Sequence, residues 1–318
     1  MAETTVTPGR PTRSGNGGRG SPRPVRQGLS ERALGKVFVS PSIILMAMVA
    51  LFPVLYAFVL SLYLYTRRQP IGFGGIDNYV RALTDSRFWD SIQFTFIFTV
   101  TSVTAEFLIG LGFALLMNQA FRGRGVTRAA ILIPWVIPTV IAAQMWFFMF
   151  NVTPGFINSV LGLGNFNWLG QSGWATFTVV FADVWKTAPF VALLLLAGLQ
   201  TIPNDVYESA RVDGAGMFAR FWYVTLPLLK PAILVALLFR TVDALRVYDL
   251  PQVMTRGAFG TESLSMLVQQ YVVRTPNPGY GAALSTLTFI VVLGIGIIFV
   301  RLLGRDLVIG SGVEGGRR

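Results

Sequence analysis

Residues 174–231 read WATFTVVFADVWKTAPFVALLLLAGLQTIPNDVYESARVDGAGMFARFWYVTLPLLKP. The opening run, Trp174 to Leu199, is apolar almost throughout and long enough to cross a bilayer as a helix, which takes about 20 residues. Thr201 to Pro231 then turns polar, with carboxylates, guanidinium groups and a glycine pair, and cannot lie in hydrocarbon. A further apolar run, Ala232 to Leu250, follows directly. A crossing, a patterned polar loop and a return crossing describe an integral membrane protein.

The same pattern extends in both directions. Six spans are expected: Phe38 to Tyr65, Ile92 to Met117, Ala129 to Phe150, Trp174 to Leu199, Ala232 to Leu250, and Ala282 to Leu303. The fold class is therefore an all-α membrane bundle. Prolines inside the spans (Pro53, Pro134, Pro138, Pro189) predict local kinks, which membrane helices tolerate when neighbours re-satisfy the backbone. Composition agrees, with 53% hydrophobic and 13% charged residues and a mean hydropathy of +0.59. A soluble domain carries about 25% charged residues.

Charge sets the orientation. Sixteen Lys and Arg fall in residues 1–36, 118–128, 200–231 and 304–318, on one side of the spans, and six fall in 66–91, 151–173 and 251–281 on the other. The richer side is expected to be cytoplasmic, with both termini inside. The net charge of +11 invites a nucleic-acid reading, but seven of the basic residues lie in 1–36. That segment, rich in Gly, Pro, Arg and Ser, cannot bury enough apolar surface to fold. It is read as a disordered cytoplasmic tail beside anionic lipid, without nucleic acid as a partner. The apolar segment after it is too long for a signal-peptide core. Residues 37–304 are then the membrane domain, and 305–318 a second short cytoplasmic tail.

Several chemistries are excluded. There is no cysteine and no histidine, which removes disulfides, thiolate or imidazole metal sites, Ser-His-Asp triads and Cys-His dyads. The lysines are Lys36, Lys186 and Lys230, and none stands in a Gly-Lys-Ser/Thr context, so no P-loop cradles ATP. No catalytic residue, metal or cofactor is expected on this chain; energy comes from another subunit or an ion gradient.

The polar loop 201–231 reads as two short helices broken at a glycine. Asp205 and Glu208 have the spacing of a capping box, with Pro203 upstream. Asp213-Gly214 reads as a helix stop with a left-handed residue. Met217, Phe218, Phe221 and Trp222 form an apolar stripe on the second piece, and Pro227 and Pro231 close the loop. An amphipathic cytoplasmic loop of this kind is a docking surface for a protein or an interfacial helix lying on lipid.

The spacing within it is specific. Glu208-Ser209-Ala210, three residues, Gly214, nine residues, then Val224-Thr225-Leu226-Pro227 resembles the EAA loop of ABC importer permeases, E-A-A-x3-G-x9-I-x-L-P. Ser209 stands for the usual Ala and Val224 for the usual Ile. The resemblance implies a type I ABC importer permease core made by the last five spans, with span one added at its edge. It also implies that Glu208, Ser209, Ala210, Asp213, Gly214, Ala215, Leu226 and Pro227 meet an ATP-binding subunit. The implied partners are two such subunits carrying ATP and Mg, a second homologous permease, and an extracytoplasmic sugar-binding protein. Asp183 to Pro203 and Ala236 to Asp249 are similar to permeases of the maltose and trehalose type, which implies a disaccharide as cargo.

Seven ionisable residues stand out within the spans, Arg301 near the end of the last one aside: Glu106, Asp183, Lys186, Arg240, Asp243, Arg246 and Asp249. Each costs about 2.5–3.5 kcal/mol at the centre of a lone helix, so they are expected to face the bundle interior, a wet path or an interface. Asp183 and Lys186 share a helix face, and Arg240, Asp243, Arg246 and Asp249 alternate in sign at steps of three, so neighbours can pair. The functional reading is a sugar path with Trp146, Trp185 and Tyr248 as stacking faces; the structural one is mutual neutralisation. Glu106, with no partner in its own span, is the foremost path candidate. Gly110, Gly112, Gly294 and Gly296 are expected to permit close helix packing. Two rival functions are a gradient-driven transporter, which would show an internal repeat, and a lipid-linked glycosyltransferase, which would need clustered carboxylates at an interface.

Overall fold

In a computed structural model the described residues are 31–66, 69–153 and 155–311, with side chains described from residue 37 to residue 302. The expected tail 1–36 lies almost wholly outside them, as does the end of 305–318. The regular elements of the described chain are helices except for one antiparallel hairpin. Five helices are long and apolar enough to cross a membrane, six if one sharply bent pair counts as a single span.

Helix α1 (Glu31–Ser61) carries the first span; its part up to Phe52 forms a unit by itself, and from Val37 to Phe52 all its side chains but Ser40 are exposed. The span stops at Ser61, not at Tyr65 as the apolar run predicts. The chain turns there into β1 (Tyr63–Thr66), paired with β2 (Gln69–Phe73) with Tyr63 opposite Phe73. The aromatic alternation at Tyr63 and Tyr65 belongs to a strand, and Gly74 and Gly75 end the hairpin. The Asn78 side chain donates to the Ser61 and Tyr63 carbonyls at 2.8 and 2.9 Å, satisfying groups left open where the helix stops.

A short helix α2 (Asp77–Thr84) leads into α3 (Ser86–Asn118), whose N-cap Asp85 accepts from the Arg87 amide. Helix α3 begins six residues before the expected Ile92. The third span is corrected more strongly. It is two helices, α4 (Arg124–Val136) and α5 (Thr139–Phe150), meeting at 91°. Pro138 supplies no N–H and forces Ile137 into extended backbone (ψ 130°), so the helix breaks there, whereas Pro134 is accommodated inside α4.

After the short α6 (Phe156–Leu161), α7 (Trp174–Gln200) forms the centre of the bundle. Two-thirds (67%) of its most apolar stretch is buried, against 28% in α3. Small residues let its neighbours approach. A β-carbon at Gly110 of α3 would sit 2.8 Å from Val191 Cγ1, and one at Gly198 would press on Leu229 and Ala232. Beyond α8 (Asn204–Val212), α9 (Met217–Arg220) runs through a five-residue π-turn, Phe221–Thr225, into α10 (Leu226–Ala244). The chain ends with α11 (Asp249–Met254), α12 (Leu264–Gln269), a second π-turn Gln270–Arg274, and α13 (Pro278–Ser311), which runs through residues expected to be tail. On the face opposite the loop, Arg87 grips Glu262 at 2.6 and 2.7 Å, and Tyr280 donates to Asp85 at 3.1 Å, tying α3 to the segments on either side of α12.

Candidate functional site: an exposed loop and a charged cavity

The loop begins at Pro203, which has no side-chain acceptor, so α8 starts without the capping box expected from Asp205 and Glu208. Its end is as predicted. Gly214 sits at φ +80°, and the Gly214 and Ala215 amides turn back to the Arg211 and Ala210 carbonyls. The second expected short helix is instead the first turn of a long one, since α9 continues into α10. Inside the π-turn the Leu226 amide reaches the Phe221 carbonyl, five residues back.

The loop is held to the bundle by buried Ile202, by Tyr207 packed against the apolar cluster that includes Leu195 and Leu199 of α7, and by a 3.3 Å hydrogen bond between Tyr207 and Thr225. Outside these anchors it is open. Glu208, Ser209, Asp213, Gly214 and Pro227 are exposed, with Ala210, Ala215 and Leu226 half-buried. Val212, Met217, Phe218, Trp222 and Tyr223 are all more than half exposed. A polar loop that turns so many large apolar side chains outward presents an uncovered contact face.

The intramembrane charges gather around Arg240 of α10, 2% exposed. Its Nε and Nη2 grip both oxygens of Glu106 on α3, the latter at 2.8 Å. Nη2 also donates to Asp183 Oδ2 on α7 at 3.0 Å, and Nη1 to Asp243 Oδ2 at 2.5 Å. The Thr187 hydroxyl lies 2.6 Å from Glu106 Oε1. Glu106, singled out for lacking a partner in its own span, is thus fully buried and doubly paired to a residue far along the chain. Thr187 was missed, although its position four residues after Asp183 puts it on the same face.

The remaining charges arrange differently from the sequence pattern. Asp183 pairs with Arg240, not with Lys186, and Lys186 makes no ion pair among the described residues. The alternating stripe ends at Asp243, because α10 stops at Ala244. Arg246 and Tyr248 lie in the link that follows, and Asp249 opens α11. These groups meet again around a cavity of about 170 Å³ lined by Asp183, Lys186, Asp243, Arg246, Tyr248 and Asp249, with Arg240 at its back. Glu106 does not line it. Nor do the tryptophans. Trp146 is enclosed by Phe150, Phe181 and Trp185 at centroid distances of 4.9–5.6 Å. Trp185 borders a separate apolar groove of about 720 Å³ between α3, α4 and α7. Such a cavity offers both donors and acceptors to a polar, hydroxyl-rich cargo, while its own charges balance. Among the described residues no cluster of Asp and Glu could hold a metal.

Comparison with known proteins bears on both features. Residues 106–308 match the family described as the binding-protein-dependent transport system inner membrane component. The trehalose/maltose transport system permease protein of Thermococcus litoralis is 45% identical over 279 residues, covering 85% of this chain and 94% of that protein. The trehalose transport system permease protein of Mycobacterium tuberculosis is 40% identical, covering 87% and 90%. The sulfoquinovosyl glycerol transport system permease protein of Agrobacterium fabrum is 38% identical, covering 86% and 92%. Among solved structures, a bacterial ABC transporter involved in alginate import has a chain superimposing with a TM-score of 0.72 at 22% identity, over 86% of this chain and 95% of that one, a likeness of fold. A multi-pass membrane chain whose helices, loop and sequence agree in this way belongs to the family of binding-protein-dependent transport system inner membrane components.

Proposed function

We propose that this chain is the non-catalytic permease subunit of an ATP-driven, binding-protein-dependent sugar importer. It forms half of a translocation path and turns ATP hydrolysis elsewhere into alternating access. The observation that carries this reading is the continuity of the loop with the cavity: one helical run from Met217 to Ala244 joins the exposed apolar face to Arg240 and Asp243. Movement imposed on that face reaches the cavity wall without crossing a flexible joint.

In this reading, the face around Glu208, Ala210 and Gly214 seats in an ATP-binding subunit, which alone holds ATP and Mg. Two such subunits, a second homologous permease and an extracytoplasmic sugar-binding protein complete the assembly, with both termini of this chain cytoplasmic. Lys186, Tyr248 and Asp249 contact the sugar, with Asp243 and Arg246 at the rim. The names of the relatives, two of trehalose type and one for sulfoquinovosyl glycerol, a sulfonated glycoside, favour a small glycoside, and trehalose or maltose first.

The test is ATPase activity of the purified complex, stimulated by the binding protein, across a panel of disaccharides. A glucose disaccharide is expected to stimulate hydrolysis, and Gly214→Trp or Glu208→Lys to abolish the stimulation. Uptake that follows a proton or sodium gradient, with no ATPase co-purifying, would overturn the proposal in favour of a secondary transporter.

A further inference from the structure

We infer that Arg240 is a rivet that makes the loop-bearing helix and the two helices beside it move as one body, so that this guanidinium sets how tightly ATP hydrolysis is coupled to uptake. The inference rests on the permease reading above and assigns Arg240 and Glu106 a positioning role distinct from sugar contact.

Three kinds of contact join α3, α7 and α10. Two are apolar: Gly110 of α3 against Val191 of α7, and Gly198 of α7 against Leu229 and Ala232 of α10. Such contacts are non-directional, and helices can slide along them. The third is the ion cluster, and it resists sliding. Arg240 uses four of its five N–H groups on carboxylates from all three helices. Glu106 and Asp183 have no other cation within ion-pair distance among the described residues. A shift of α10 by one turn would leave two buried carboxylates uncompensated, a state far costlier than the paired one.

The cluster also stands at the end of the lever. From Met217 to Arg240 the helical run spans about 35 Å at 1.5 Å per residue. A push on the exposed face therefore arrives at Arg240, and through it at α3 and α7. Glu106 gives the clearest test of this role. Its carboxylate is fully buried and does not line the cavity, so it cannot touch the cargo. Its side chain holds Arg240 and accepts from Thr187, and those contacts fix where the guanidinium sits.

The experiment uses the whole complex in proteoliposomes, with partner permease, ATP-binding subunits and binding protein. Sugar moved per ATP hydrolysed, and KM for the sugar-loaded binding protein, are measured for the wild type, Glu106→Gln, Arg240→Lys and the double variant. Gln keeps the shape but not the charge; Lys keeps the charge but not the fork. Each single variant is expected to lower sugar per ATP at least about fivefold, the lower end of coupling between sites, with KM within about twofold for Glu106→Gln, whose carboxylate does not line the cavity. The double variant should be no worse than the worse single one, because both act through one contact. The inference is overturned if uptake and hydrolysis fall together at constant ratio, if KM rises while the ratio holds, or if no variant assembles, which would make the cluster a folding element only. A wild-type complex that takes up sugar without hydrolysing ATP would instead overturn the permease reading itself.

Discussion

Replacing Gly110 by Ala tests how closely the central helices are packed. The added β-carbon would lie 2.8 and 2.9 Å from the Val191 γ1 and β carbons and 3.1 Å from the Ala188 carbonyl oxygen. Carbon pairs settle at about 3.5–4.0 Å, so α3 and α7 must part by roughly 0.7–1.2 Å. Val191 cannot swing aside, since a β-branched residue in a helix holds one strongly preferred rotamer. The strain extends one turn along both helices, where Thr187 and Glu106 lie 2.6 Å apart. Parting by about 1 Å takes that pair beyond hydrogen-bond range. Overpacking costs about 1–3 kcal/mol and a lost hydrogen bond about 0.5–1.5 kcal/mol, so the variant should be destabilised by about 1.5–4.5 kcal/mol. The assay is SDS-driven unfolding of the solubilised protein followed by tryptophan fluorescence. The reciprocal double variant, Gly110→Ala with Val191→Gly, moves the knob to the other helix and should recover part of the loss. An unfolding midpoint unchanged in Gly110→Ala, or a double variant no better than the single, would refute the packing argument.

Removing a buried ion-pair partner and removing an exposed one should differ widely in the same assay. Arg240→Ala strands Glu106 and Asp183 in the core and is expected to cost about 3–5 kcal/mol. Arg87→Ala breaks a pair whose arginine side chain is 40% exposed and should cost about 1 kcal/mol or less; equal losses would contradict the burial contrast. Asn78→Ala leaves the Ser61 and Tyr63 carbonyls unsatisfied at the end of α1 and should cost about 1–3 kcal/mol. Faster proteolytic nicking near residues 63–73 would report it, and an unchanged nicking rate would count against the tie.

The membrane class, the crossing and the helix stop at Gly214 were legible because each depends on local pattern. Apolar length marks a span whatever its neighbours, and a glycine after Asp213 marks a left-handed turn by itself. The break between α4 and α5 was legible only in part. Pro134 and Pro138 announce disturbance, but whether a proline kinks a helix or ends it depends on what packs around it. The hairpin after α1 was hidden because alternating tyrosines extend an apolar run as readily as they begin a strand. Glu106 was misplaced for a different reason. Its partner Arg240 lies 134 positions away, and no periodicity within one span reports a contact between spans. Lys186 and Asp183 made the converse error, since sharing a face permits a pair but does not require one when a guanidinium is nearer.

The π-turn at Phe221–Thr225 gives residue count a mechanical meaning. It fits one more residue into a turn than an α-helix would, so deleting a single residue there would let the helix close up as an unbroken α-helix. Everything on its N-terminal side, including Gly214 and the face beside it, would then keep nearly its present direction, because the wide turn has already absorbed the extra residue. The same deletion from a regular turn of α10 would instead swing that face by about 100° around the helix axis and shift it by about 1.5 Å, away from whatever it docks against. A chain shortened by one residue at the π-turn is therefore expected to fold, insert and still engage its partner, whereas one shortened by a residue within α10 would fold and idle: a transmission with the gears intact and the clutch turned aside.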